Sequence, residues 1–281
     1  MTPWRALCLS VLLLLSAVSV GTAADPEEEG LDDFFPLVTR RPVLEREVGF
    51  RATYDKGHGG REVRIAPALA VPILPWWQIQ LEMPAMFRDP RDGEAVGGAG
   101  DLELENMFVL YRAKESDTLL SGGVGLTLPT GSGKRDLGGE TAIEPFLTAG
   151  TRQGRFYLVA EAAYAWTLRA PGPGPGVQAF TAGTAIGYRV RSWLIPFVEL
   201  TSVTKVRGAD EPGARDRRGR TQVYFTPGVN IQLLPAATLG LGVQLPVTNA
   251  RAFDYRLHGS LDWAFRANVS PPAVVRSALV D

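Results

Sequence analysis

The sequence predicts an all-β protein: an antiparallel, up-and-down transmembrane β-barrel of about twelve strands. Three observations predict it. From Val43 onward, apolar residues recur with a period of two in about a dozen successive segments. Each segment is longer than the roughly five or six residues of an ordinary soluble strand, and suits a tilted membrane strand of about ten residues plus overhang. The connections alternate between tight turns and longer polar or Gly/Pro-rich loops, the asymmetry that outer-membrane barrels show between their two rims.

The chain of 281 residues opens with Arg5, the apolar run ALCLSVLLLLSAVSV and the small residues GTAA. This reads as a secretory signal peptide over 1–24, because an apolar core of about 15 residues is short of the ~20 that a spanning helix needs. Cys8, the one cysteine, falls inside it and too early for a lipoprotein cleavage box. The mature chain then has no disulfides and must rest on a sizeable core or a closed sheet. Residues 25–42, DPEEEGLDDFFPLVTRRP, are acidic, Pro-bounded and aperiodic. They read as a periplasmic N-terminal linker.

The barrel is expected over 43–266, with strands near 44–55, 61–74, 76–88, 99–112, 118–130, 140–151, 154–168, 178–191, 193–206, 221–234, 237–248 and 252–266. The segment FYLVAEAAYAWTL shows the alternation. Phe156, Leu158, Tyr164, Trp166 and Leu168 share one parity, and Tyr157, Val159, Glu161 and Thr167 share the other. Tight turns fall around LPWW, KESDT, RQG, RS and LPAA, and an even strand count puts both termini on the periplasmic side. Pro67, Pro145, Pro196 and Pro227 sit inside proposed strands, where proline cannot donate to the ladder, and bulges or strand ends are expected there. Residues 267–281 form a C-terminal tail.

In hydrocarbon every backbone polar group must be paired, so strands must close into a ring. The apolar parity then faces outer-membrane lipid and the polar parity faces the lumen. By that parity Glu82, Glu103, Glu105, Glu144, Glu161, Glu199, Arg256 and His258 line the lumen. Arg51, Arg64, Arg189, Lys205 and Arg266 are candidate ion-pair partners, serving either to tune selectivity or to knit a filled interior. Trp76, Trp77, Trp166, Trp193, Trp263 and Phe265 fall near strand ends, as interface girdles do.

Other motifs point to less. GSGK, ending at Lys134, lacks the glycine a phosphate-binding loop needs five residues before Gly133, where Leu128 stands, and Arg135 follows the lysine instead of Ser or Thr. It reads as a loop. His258 and Ser260 are two apart on one strand, the spacing of a nucleophile and base, and an outer-membrane lipid hydrolase, with calcium a plausible cofactor, is the enzyme alternative. Their parity is the lumen's, whereas a lipid substrate requires the outer face, so no catalytic residue and no enzyme is expected. Neither His58 nor His258 has metal-ligand spacing around it, so no metal or other cofactor is expected. A formal net charge of -1 gives no reason to expect nucleic acid as a partner. The basic run GARDRRGR, 213–220, reads as a solvated loop.

Three short motifs carry a resemblance: Gly100-Asp101-Leu102 before an alternating strand, Leu128-Pro129-Thr130-Gly131 at a strand end, and Pro227-Gly228-Val229 in a later strand. With these the chain resembles the MetA-pathway-of-phenol-degradation family of outer-membrane transporters, over about Ala66 to Phe265. The resemblance implies a barrel of the bacterial outer membrane that passes small, often aromatic, compounds, and it supplies no catalytic residues. The expected function is a passive channel for small molecules, aromatic or hydrophobic ones included. A plugged barrel with a purely structural role is the remaining alternative. Expected partners are membrane lipid, a small-molecule solute and the barrel-insertion machinery. Many barrels end on an aromatic residue that this machinery reads, whereas this chain continues past Phe265.

Overall fold

The computed structural model describes residues 30–57, 59–113, 116–133, 137–170, 176–207 and 221–265. The signal peptide, the C-terminal tail, His58, the basic run 213–220 and residues 134–136 of the GSGK loop lie outside the described residues.

Fourteen strands follow one another: β1 (Glu47–Gly57), β2 (Gly60–Leu74), β3 (Trp77–Glu82), β4 (Ala85–Pro90), β5 (Val96–Ala99), β6 (Leu102–Ala113), β7 (Thr118–Leu128), β8 (Thr141–Gln153), β9 (Phe156–Arg169), β10 (Gln178–Tyr188), β11 (Leu194–Arg207), β12 (Thr221–Leu234), β13 (Ala237–Pro246) and β14 (Tyr255–Ala264). They form twelve staves. β3 and β4 are successive halves of one stave, both antiparallel to β2. β5 and β6 are halves of the next, pairing with β4 and β3 respectively. The remaining neighbours pair antiparallel in chain order, and β1 pairs with both β2 and β14, from Glu47 opposite Ala264 to Lys56 opposite Tyr255. The sheet is a closed antiparallel twelve-stave barrel. Closure leaves no edge strand, which is what allows strands to cross hydrocarbon.

Side-chain burial is inverted relative to a water-soluble protein. On β9 the exposed large apolar residues are Phe156, Leu158, Trp166 and Leu168, while Tyr157 and Val159 are buried inside. β12 and β14 repeat this, with Phe225, Leu257 and Leu261 outside and Asn230, Thr226, Ser260 and Asp262 inside. Such a continuous apolar exterior has no stable place in water and is at home in lipid. Trp76, Trp193 and Trp263 sit exposed at the rim of short turns, and Trp166 lies toward the opposite rim.

The four internal prolines are accommodated by interrupting one ladder each. No paired residue is found between Ile65 opposite Ala85 and Ala68 opposite Glu82, which brackets Pro67. The β8–β9 ladder skips from Ile143 to Phe146 around Pro145, and β12–β13 skips from Phe225 to Gly228 around Pro227. Pro196 lies just past the last β10–β11 pair, at Phe197. Each proline keeps its pairing with the stave on its other side. The missing donor therefore falls in a local gap, and bulges are not needed at these positions.

The two broken staves have a common cause. Pro84 cannot donate to a ladder, and the breaks at Met83–Pro84 and Gly100–Asp101 face each other, bridged by the Gly100 N–H donating to the Pro84 carbonyl at 2.8 Å. The loop after β7 fills the gap that the break leaves. Asp101 accepts the N–H groups of Gly131, Gly139 and Glu140, each at 2.8 Å, and the Leu102 N–H donates to Thr130 Oγ1 at 2.8 Å. Leu137 is buried there against Gly98. Asp101→Ala leaves three backbone donors without their acceptor, at about 1–3 kcal/mol each if they stay unpaired. Amide exchange at Gly131, Gly139 and Glu140 is expected to accelerate by about tenfold or more, with the other ladders unchanged.

Residues 30–46 do not form a linker outside the barrel. They run inside it, as the next subsection describes. The sequence is aperiodic there because the segment makes neither helix nor ladder beyond a single 3-10 turn, Leu31–Asp33.

Candidate functional site

Residues 30–46 enter the lumen at the short-turn rim, rise to mid-barrel and return to Glu47, where β1 begins. The apolar end docks first. Phe34 is fully buried, with ring centroids 5.4 Å from Tyr157 and 5.7 Å from Phe197. Leu31, Leu119, Val159, Ala185 and Ile195 complete this cluster. The wall is thinned by glycine to receive it. A Cβ at Gly187 would lie 2.9 Å from the Phe34 ring, and one at Gly242 would lie 2.6 Å from Leu37. Arg189 and Asp33 pair at 2.6 Å at the rim.

Above this, the plug's backbone is held by wall side chains. Fully buried Glu199 accepts the N–H groups of Leu37 and Thr39 at 2.7 Å and that of Val38 at 3.2 Å. Asn230 accepts from Phe35 N–H at 3.1 Å and donates to the Phe35 carbonyl at 2.9 Å, taking both backbone groups of one residue. Ser121 donates to the Pro42 carbonyl and Thr148 to the Arg40 carbonyl, and Gln78 accepts the Glu45 N–H. Every strand residue in this set lies on the inward parity. A segment without secondary structure must find acceptors and donors elsewhere when buried, and the wall supplies them.

Two arginines mark the turn of the plug. Arg41 pairs with Glu45 and Glu47 and stacks on the Phe35 ring at 4.0 Å. Arg40 reaches three staves: Nε to Glu105 at 2.9 Å, Nη2 to Glu144 at 2.9 Å and Nη1 to Glu161 at 3.8 Å. Its guanidinium carbon lies 4.0 Å over the Phe146 ring. Burial pushes the Arg40 guanidinium down, but Glu105, Glu161 and Glu144 together outweigh it and hold it above its ordinary value. Arg40 is firmly charged.

A cavity of about 720 Å³ runs along the plug, from Gln78 and Asp262 toward the long-loop side at Asp101 and Glu140. Its wall carries the sequence-predicted residues Glu82, Glu103, Glu105, Glu144 and Glu161. Arg64 bridges Glu82 at 2.8 Å and Glu103 at 2.7 Å, and Arg51 approaches Glu82 at 3.4 Å. Glu199 lies below, engaged with the plug. Arg256 pairs with Asp55 and covers the Phe253 ring at 4.3 Å, and His258 lies 3.3 Å from Gln244. Both occupy the inward parity of β14 outside the cavity's lining. Ser260 donates to Asp262 at 2.7 Å. His258 and Ser260 are thus engaged with different partners and face the lumen. Among the described residues no group of three metal-ligating side chains is assembled.

The sequence reading left out Arg40, Arg41 and Asp33. The signal available for them was physical: paired aromatics and paired arginines in a segment otherwise without period, facing a wall with glycines on its inward parity.

No protein-family model matches the chain, and no curated protein matches it. Solved structures do. An outer membrane channel from Pseudomonas putida F1 superposes with a TM-score of 0.63 at 15% identity, covering 83% of this chain and 100% of the other. The NanC porin gives 0.53 at 11% identity, over 78% of this chain and 99% of its own. The KdgM porin, solved in complex with disordered oligogalacturonate, gives 0.52 at 10%, over 78% and 99%. At these identities the likeness is one of fold. Closed ring, apolar exterior and superposition agree: the protein is a twelve-stave β-barrel of the bacterial outer membrane, built like known channels and porins.

Proposed function

We propose that the barrel is a passive outer-membrane channel for small solutes, held closed on its short-turn side by residues 30–46. The observation that carries this is the division of the lumen. Part of it is filled by a segment docked through side chains, and beside that segment lies a charged chamber of about 720 Å³. A barrel with a purely structural role needs no such chamber, and a wall of inward glycines shaped to one segment suits a seat that can be emptied. The motif resemblance to the phenol-degradation transporters supports small aromatic solutes as cargo, and the fold of the similar channels supports passage through the lumen.

Liposome swelling in a small phenolic solute tests the reading. Vesicles carrying wild-type protein are expected to swell slowly. Those carrying Gly187→Leu, whose side chain takes the space of the Phe34 ring, are expected to swell several-fold faster. If neither swells, while heat-modifiable gel migration shows both barrels folded, the structural reading replaces the channel.

A further inference from the structure

We propose that Glu105, Glu144, Glu161 and the Phe146 ring form a binding site for a small guanidinium-bearing solute, and that Arg40 of the plug occupies it as a tethered stand-in. The inference deepens the channel reading and rests on it for its physiological meaning, although the binding itself does not require conduction.

The geometry is that of a cation receptor. Three carboxylates converge from three separate staves, β6, β8 and β9, on one planar cation. An aromatic face closes the fourth side at 4.0 Å, the arrangement in which a ring's electron-rich face attracts a guanidinium. Two of the carboxylate contacts are at 2.9 Å, the length of strong charge-assisted hydrogen bonds. Glu105 and Glu144 hold the guanidinium at hydrogen-bond distance, while Glu161, 3.8 Å from it, also accepts the Arg40 backbone N–H at 2.9 Å. The Arg40 side chain also keeps 24% of its surface open, and it forms part of the chamber wall. A solute in the chamber therefore meets the occupied site directly.

The chamber's charge fits such a solute. Among the described residues that line it there are ten carboxylates and five arginines, so the field inside draws cations and repels anions. A guanidinium solute that takes the three glutamates displaces Arg40, the charged contact at the top of the plug, and weakens the plug's hold. Binding and opening are coupled because both use the same carboxylates.

The test uses the full mature chain in detergent and n-propylguanidinium as the probe, followed by ligand-observed NMR. Arg40→Ala is expected to bind the probe at least ~10-fold more tightly than wild type, by removing the competitor. Adding Glu144→Gln and Glu161→Gln to that variant is expected to abolish the gain. Equal binding by wild type and Arg40→Ala overturns the proposal, and so does a gain that survives the double glutamine change. Should Arg40→Ala not fold, Arg40→Gln serves in its place, and wild-type protein in a planar bilayer gives an independent reading. There, ~100 mM probe is expected to raise conductance above that in sodium chloride of equal ionic strength; no difference, where Arg40→Ala does conduct, overturns the coupling of binding to opening. A positive binding result with no conductance in any unplugged variant would remove the channel reading and leave the site.

Discussion

Excising residues 31–42 is expected to raise single-channel conductance in planar bilayers by roughly an order of magnitude, with the barrel still folded. The wall is self-sufficient. The inter-strand ladders run from stave to stave, including the closing pair β1–β14, and the plug forms no part of them. What the plug contributes is filling. Phe34, Leu31 and Leu37 occupy the short-turn half of the lumen, and Arg40 and Arg41 cap the other half. Removing them leaves Glu105, Glu144, Glu161 and Glu199 facing one another, a costly arrangement in a dry interior. In an emptied lumen water enters and screens them, so the cost in stability is moderate. Conductance that stays at the wild-type level, in a variant with normal heat-modifiable migration, would mean that something other than this segment closes the lumen.

Glu199→Ala is the second change with a large expected effect, and it acts without deleting anything. Glu199 is fully buried and accepts the N–H groups of Leu37, Val38 and Thr39. A buried donor deprived of its acceptor costs about 1–3 kcal/mol. Three such losses are not strictly additive, yet about 3 kcal/mol in favour of undocking is a conservative sum, or more than a hundredfold in the ratio of open to closed. The β11 backbone stays paired on both sides, so the wall is untouched. Open probability in bilayers should rise steeply, and a protease added on the short-turn side should cut within residues 31–42. Glu199→Gln keeps one carbonyl acceptor and should fall between the two. An alanine variant as closed and as protease-resistant as wild type would show that Glu199 does not hold the plug.

The wall was legible in the sequence because its rule is local. A strand in this barrel touches lipid on one side and lumen on the other, so every second residue reports which face it occupies. Phe156, Leu158 and Trp166 against Tyr157, Val159 and Glu161 show this without reference to any other strand. The two broken staves were blurred for the same reason, since Pro84 and Gly100-Asp101 interrupt the period that identifies them. The motifs GDL and LPTG were visible but not their relation: Asp101 and Thr130 belong to one clasp between distant loops. The plug was illegible because its rule is non-local. Phe35 is 195 positions from the Asn230 that pairs its backbone, and Leu37 is 162 from Glu199. An aperiodic acidic stretch and a docked one look alike until the wall that receives it is in place. Glu105, Glu144 and Glu161 could be put inside by parity. That they converge on one guanidinium required register between three staves and the position of a segment outside the barrel's repeat.

The plug is covalently continuous with β1, and the span from Arg41 to the first strand residue, Glu47, is short. Its side chains therefore remain beside their seat even when undocked, at an effective concentration on the order of millimolar or more for a tether of this kind. A free solute competing for the same carboxylates must exceed that local level before it wins. The tether length thus acts as a concentration threshold. On the proposed channel reading, it keeps the lumen shut against traces of solute and, once the solute is depleted, restores closure in a single intramolecular step.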